Sequence, residues 1–335
     1  MMKEIKINEN DNDQRLDRFL VKFFPNATKS FLMKMLRKKN IVLNGKKASG
    51  DERILTGDVI KVFFSDETFE KFTEAPKKFN PNIIDLNIVY EDENIAIIDK
   101  DEGVLSHATK EGFEKNVVDS FIKYLIDKKE FSPRNENTFR PALANRLDRN
   151  TKGLLIGCKN YEALKEMTKL IKDRKINKYY KTIVKGKFDV DETFEVNYEK
   201  NEKKNMMKLS DDGSEMITHF KSIYMKNNFT ELEVLLLTGK THQIRFHLKT
   251  LKHPIVGDRK YGDAAINARL ANIINNQLLY SYKISFPELD GFFNYLSNKE
   301  FYANGWATYD KVKEVLFKWY LYAEQKKMLK ICLAH

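Results

Sequence analysis

The chain has 335 residues, with 59 Lys plus Arg against 48 Asp plus Glu, a formal charge of +11. That length suits about two domains, and a 42% hydrophobic fraction with 23 Phe and 15 Tyr excludes a wholly disordered chain. With 14 Gly and 7 Pro it is neither collagen-like nor low-complexity, and two cysteines, Cys158 and Cys332, cannot build a disulfide framework or a four-thiolate zinc site.

Both cysteines are expected as buried, reduced thiols. Met1 to Asp13 lacks the apolar core of a signal peptide. No stretch approaches about 18 uncharged apolar residues, so no membrane span is expected. A soluble cytoplasmic protein with a polyanionic partner fits these features.

Charge is uneven along the chain. From Thr28 to Lys47 there are seven basic residues (Lys29, Lys34, Arg37, Lys38, Lys39, Lys46 and Lys47) and no acid. Phe31, Leu32, Met35 and Leu36 mark one helix face there, with Thr28 or Ser30 as its cap. Lys34, Arg37 and Lys38 then lie away from that face. Asn44-Gly45 after Ile41-Val42-Leu43 signals a hairpin, and Gly57-Asp58 a turn before a strand from Val59 to Phe64. Such a module would bind phosphates with strong salt dependence, although a solvated helix face is the simpler account of a charge run. Ser65 to Asn82, polar and without apolar period, reads as a linker.

From Ile83 onward, short apolar strands alternate with helices. Strands are expected at Asn94–Ile98, Gly153–Gly157, around Ile183-Val184, and at Leu232–Leu237. Helices fit Val117–Leu125 and Tyr161–Ile171. The mixture is α/β or α+β. In the tail, Val312, Val315, Leu316, Trp319 and Tyr320 form a helical stripe expected to dock on the preceding domain.

Three polar clusters interrupt this framework. Asn145-Arg146-Leu147-Asp148-Arg149-Asn150-Thr151-Lys152-Gly153 enters a strand. A carboxylate between two arginines is favoured in its charged form and can act as nucleophile or base, although a turn salt bridge explains this segment alone. Lys178-Tyr179-Tyr180-Lys181 ends a run of nine basic residues from Lys165 to Lys187, against Glu166 and Asp173. Tyrosines among lysines offer a base-stacking face beside phosphate anchors, or one tyrosine packs in the core. Thr238-Gly239-Lys240-Thr241-His242-Gln243-Ile244-Arg245-Phe246-His247 looks like a phosphate loop, but Val234 occupies the place of its first glycine. His242 and His247 lack the spacing of a helical zinc site. If Thr241 caps a helix, Ile244, Leu248 and Leu251 are its buried stripe, leaving His242, Arg245 and Lys249 to an anion.

Two resemblances emerge from these residues. Arg15-Leu16-Asp17-Arg18-Phe19-Leu20, the helix after Lys29-Ser30, Val42-Leu43-Asn44-Gly45-Lys46 and Gly57-Asp58-Val59-Ile60 follow the order of the S4 RNA-binding domain. Tyr90-Glu91-Asp92, Gly103-x-Leu105-x-His107, Arg146-Leu147-Asp148 with Thr151 and Gly153-Leu154-Leu155, and Lys178-x-Tyr180 with Val184-x-Gly186 resemble the RluA-type pseudouridine synthases. Thr238-Gly239-x-Thr241-His242-Gln243-Ile244-Arg245, His253-Pro254-Ile255-x-Gly257-Asp258 and Tyr261-Gly262 continue that match. It departs at Asn145 for His, Lys152 for Ser, Asp99-Lys100-Asp101 for Asn-Lys-Pro, Lys240 for Arg, Thr182 for Ala, and Tyr280-Ser281 for His-Ala.

The resemblance implies an α+β protein. A small S4-like α/β RNA-binding domain (1–65) and a linker (66–85) precede a synthase domain (86–290), with a C-terminal helical extension (291–335). The synthase domain is expected to hold a large mixed, mainly antiparallel sheet flanked by helices. The implied activity is isomerisation of uridine to pseudouridine in structured RNA, foremost large-subunit ribosomal RNA, with transfer RNA as a further candidate. It implies no metal, no organic cofactor and a monomer. Asp148 would meet the ribosyl–uracil bond, Tyr180 would lie against the flipped base and help remove its carbon-5 proton, and Arg245 would pair with Asp148. RNA contacts are expected from Arg15, Lys29, Lys34, Arg37, Lys38 and Lys46 in front. Arg146, Arg149, Thr151, Lys178, Lys240, His242 and Gln243 would contribute more around the catalytic groups.

Overall fold

The computed structural model describes residues 2–73, 80–109, 114–133, 136–201, 206–210 and 213–318. In the front module, β1 (Met2–Lys6), β3 (Ile41–Leu43), β4 (Lys46–Lys47) and β6 (Val59–Phe63) form a four-stranded sheet in the order β1-β6-β3-β4, while β2 (Gln14–Arg15) pairs with β5 (Arg53–Ile54). Helices α1 (Leu16–Phe23) and α2 (Lys29–Arg37) cover it. Thr28 caps α2 by accepting from the Phe31 N–H at 3.2 Å, and Leu32, Met35 and Leu36 are buried as the apolar period requires.

The stretch read as a linker from Ser65 carries a third helix, α3 (Asp66–Phe72), capped by the Ser65 hydroxyl. Its Phe69 and Phe72 meet Phe24 and Phe31 at ring distances of 5.5 and 4.7 Å. Only two apolar residues in seven contribute, too few to show a period, so the front core extends past the expected boundary at 65.

Among the described residues the second domain is built on eleven strands. These are β7 (Ile88–Glu91), β8 (Ile95–Lys100), β9 (Ala142–Leu143), β10 (Lys152–Cys158), β11 (Asn177–Lys185), β12 (Asp191–Asn201), β13 (Met206–Leu209), β14 (Ser214–Lys226), β15 (Phe229–Leu236), β16 (Leu279–Phe286) and β17 (Lys299–Tyr302). The main path runs β13-β12-β14-β15-β11-β16-β10-β8-β7, with β17 on β16 and β9 on β10. Among the described strand pairs of this sheet, β10 and β16 run parallel and the others antiparallel.

Both faces of the central strands are covered, so successive residues feed different cores. Leu154 and Ile156 join Met167 and Phe293 on one face, under α5 (Tyr161–Lys172). Leu155 joins Phe121 on the other, under α4 (Val117–Asp127). Asn116 and Asn160 cap these helices through the N–H groups of Asp119 and Ala163. Helices α6 (Gln243–Thr250) and α7 (Ala264–Leu270) follow β15.

The last helix, α8 (Ala307–Lys318), docks on the sheet: Tyr309 donates to Glu231 at 3.2 Å and the Lys313 ammonium pairs with the same carboxylate at 2.7 Å. Val312 and Leu316 are buried beneath it, whereas Trp319, Tyr320 and Cys332 lie outside the described residues. Cys158 is a buried thiol, and burial pushes its pKa up to about 12.

The front module touches the second domain through its Asn8–Asp11 turn. Buried Asp11 accepts from Asn137 at 2.7 Å and Thr138 at 2.6 Å, and Asn10 accepts from the Tyr161 N–H at the start of α5 at 3.0 Å.

Candidate active site

A cavity of about 220 Å³ opens beside the turn that leads into β10, lined by Asp148, Lys178, Tyr180, His242 and Arg245 among others. The turn is fixed along its length. Asn145 mimics a strand partner, accepting from the Ile156 N–H at 2.8 Å and donating to the Leu154 carbonyl at 3.3 Å. Ser106 serves both main-chain groups of Leu147, at 3.0 and 2.9 Å. The Asp148 carbonyl accepts from the Thr151 N–H at 3.0 Å.

Beneath the turn, buried Lys100 donates to the carbonyls of Asp101, Val104 and Arg149 at 2.8, 2.9 and 3.0 Å. Burial pulls its pKa down to about 7, against the opposing influence of Asp148 and Asp101. The turn can enter β10 this closely because position 153 is glycine. Its φ is +121°, and a Cβ there would sit 2.1 Å from the Ser281 carbonyl oxygen on parallel β16.

Arg245 faces this turn from α6, its NH1 donating to Asp148 Oδ2 at 2.8 Å. Its other edge grips buried Asp258 through Nε at 2.7 Å and NH2 at 3.0 Å, and its guanidinium lies 5.4 Å from the centre of the Tyr261 ring. The pairing expected of Arg146 and Arg149 is therefore made by Arg245 instead. Arg149 turns away to Glu114, and Arg146 is exposed at the rim. Burial opposes the Arg245 charge, but Asp258 and Asp148 outweigh it. Burial likewise raises Asp258, yet Arg245 and the N–H groups of Tyr261 and Lys260 hold it below the usual carboxylate range. A bidentate, charge-assisted clamp of this kind fixes the orientation of the remaining N–H.

His242 starts α6 at φ +54°, in the left-handed region, which turns its ring toward the pocket. Its Nε2 lies 3.9 Å from Asp148, and its Nδ1 is 3.2 Å from the Tyr261 hydroxyl. Burial lowers its pKa. The helix cap is thus His242, one residue after Thr241; Ile244 and Leu248 are buried as expected, and Lys249 faces solvent.

Tyr180 sits on β11, 4% exposed, on the cavity wall. Burial pushes its pKa up to about 12, with the neighbouring Ser281 hydroxyl opposing. Burial thus favours the protonated phenol at neutral pH.

Several expected RNA contacts have other occupations. Gln243 is buried, donating to the Ile217 carbonyl and Thr218 and accepting from Thr238 and the Lys240 N–H. Thr151 is buried and accepts from Gln277 at 3.3 Å. Arg15 and Lys29 both pair with Asp17, at 3.0 and 3.1 Å. These groups hold the scaffold. Lys34, Arg37, Lys38, Lys46 and Lys240 are exposed, and Lys178 is buried in the cavity wall. Asp258, Tyr261, Lys100 and Ser106 received no role from the sequence; the glycine before Asp258, at φ +79°, was the available signal.

Among the described residues no group of His, Cys, Asp and Glu is arranged to hold a metal, and no helix is long and apolar enough to cross a membrane.

A family model described as RNA pseudouridylate synthase matches residues 94–250. Ribosomal large subunit pseudouridine synthase D of Borreliella burgdorferi is 33% identical over 285 residues, 82% of this chain and 82% of that protein. Ribosomal large subunit pseudouridine synthase C of Rickettsia bellii is 34% identical over 264 residues, 74% of this chain and 83% of that one. The solved structure of human RNA Pseudouridylate Synthase Domain Containing 4 shares the fold, with a TM-score of 0.50 and 17% identity over 67% of this chain and 90% of that chain. The chain belongs to the RluA-type RNA pseudouridine synthases, enzymes that isomerise uridine in RNA to pseudouridine.

Proposed function

We propose that this enzyme modifies uridine in large-subunit ribosomal RNA, and that Asp148 supplies the anionic oxygen that meets the flipped nucleoside at its ribosyl–uracil bond. The observation that carries the site assignment is the chain of contacts Asp258–Arg245–Asp148 at a cavity of base-like size. A duplex-embedded uridine reaches such a cavity only by leaving its stack, at a cost of a few kcal/mol. In the isomerisation the C1′–N1 bond breaks, a C1′–C5 bond forms, the carbon-5 proton leaves, and N1 ends protonated. Arg245 aims Asp148 through its hydrogen bond, while Tyr180 lies against the base as a neutral phenol. No metal or organic cofactor enters the scheme.

The front module acts as an S4-like RNA-binding domain in this reading. Lys34, Arg37, Lys38 and Lys46 support it, being exposed and, among the described residues, without a carboxylate partner. The enzyme works as a cytoplasmic monomer.

The test is a pseudouridine map of cells lacking this chain, complemented with wild type or Asp148→Asn. Wild type alone should restore sites in large-subunit ribosomal RNA. Restoration by both would reduce the protein to a binder, and sites confined to transfer RNA would overturn the substrate.

A further inference from the structure

Lys178 stands apart from the other cationic side chains of the site. It is 5% exposed and lines the cavity together with Ile171, Leu236 and Leu279. Among the described residues no acceptor lies within hydrogen-bond distance of its ammonium, and no charged side chain acts on it. With no protein acceptor, the ammonium opens onto the cavity, where a ligand oxygen can take the place of water. Burial alone brings its pKa down to about 8, so the charged form still dominates at neutral pH.

The position selects the ligand atom. Lys178 and Tyr180 alternate on the buried face of β11, about 7 Å apart along the strand. Tyr180 pairs with Ser281, the β16 residue level with Gly153 where the Asp148 turn ends, whereas Lys178 pairs with Ile284, farther along β16 from that turn. Lys178 therefore occupies the cavity end remote from the sugar. A phosphodiester is tethered between two riboses and stays on the strand outside. Only the extruded base reaches that depth, and the atom of uracil farthest from the ribose that accepts a hydrogen bond is the carbonyl oxygen at position 4.

We infer that Lys178 donates to the 4-carbonyl oxygen of the flipped uracil, so that it both stabilises the departing base and rejects cytosine. The inference rests on the functional reading above. When the C1′–N1 bond breaks, its electron pair passes to the uracil ring and is shared with the ring carbonyls, so the contact strengthens toward the transition state. Cytosine presents an amino group at position 4, and donor would face donor.

The experiment uses the full chain, an RNA carrying its mapped target uridine, and the same RNA with a pyrimidin-2-one nucleoside, which lacks the 4-oxygen. Single-turnover formation of the C-linked nucleoside and RNA affinity are measured for wild type, Lys178→Met and Lys178→Gln. Lys178→Met should slow uridine conversion at least about tenfold, as loss of a charge-assisted hydrogen bond implies, with affinity changed less than about twofold. Removing the 4-oxygen slows the chemistry of every variant, but should slow wild type by a larger factor than it slows Lys178→Met. Lys178→Gln, which keeps a neutral donor of lesser reach, should fall between them and serves if the Met variant does not fold. Unchanged rates, losses that add in full, or a loss in affinity alone would overturn the inference. A wild type that leaves uridine unconverted would overturn the functional reading, and this inference with it.

Discussion

The ammonium of Lys152 lies 2.8 Å from Asp101 and 3.5 Å from Asp99, whose carboxylate also accepts from the Asn304 N–H at 2.9 Å. All three charged positions depart from the pattern of the family, where Ser, Asn and Pro are usual. The three side chains touch, and the buried acid at position 99 has its cation at position 152.

Lys152→Ser alone should therefore destabilise the protein by about 3 kcal/mol, since breaking a buried pair leaves an uncompensated charge. Asp99→Asn in the same chain should recover most of that loss. Urea unfolding of the two variants checks it, and equal losses in both would show that the pair is not coupled.

Tyr180→Phe should bind RNA within about twofold of wild type yet turn over about tenfold more slowly, the scale of losing one positioned hydrogen bond in the transition state. Because the phenol pKa is pushed up to about 12, the wild-type rate should not climb with pH between 7 and 9 through this group. A rate that rises steadily there and flattens in Tyr180→Phe would restore the phenolate as base.

Changing Lys34, Arg37 and Lys38 together to Ala should weaken RNA binding and lower the slope of log affinity against log salt by about two to three. Filter binding across a salt series reads this directly. An unaltered slope would remove the helix α2 face from the interface.

His247 is buried against Phe194 and Phe220, its Nδ1 3.1 Å from Thr218 and its Nε2, among the described residues, without a hydrogen-bond partner. Burial lowers its pKa to about 4. Between that value and its ordinary one near 6.5 the unfolded chain binds the extra proton, so stability is complete above about pH 6.5 and declines toward pH 4. The loss attributable to this group is at most about 3 kcal/mol. Urea midpoints at pH 7 and pH 5 should diverge for wild type and less so for His247→Leu; an identical pH slope in both would clear His247 of any part.

Periodicity made α2, α4, α5 and the strands around Leu154, Ile183 and Leu232 readable, because each buries a regular apolar face. It could not show which charged side chains meet. Asp148 and Arg245 are 97 residues apart; the family resemblance named this pair, whereas the local pattern pointed to the adjacent arginines, which do not make it. Gln243 and Thr151 lie in site motifs yet spend their polar atoms on neighbouring main-chain and side-chain groups, a distinction that spacing does not carry. Helix α3 escaped notice because its two phenylalanines rely on partners from α1 and α2.

The Asn8–Asp11 turn carries a geometrical consequence. Because Asp11 and Asn10 grip residues 137, 138 and 161 directly, the reach between the cationic front surface and the reacting aspartate is defined by side-chain contacts and not by the length of the intervening chain. In the proposed reading, an RNA engaging both ends at once would have to present its uridine at that reach, so that the seam would act as a caliper for folded shape.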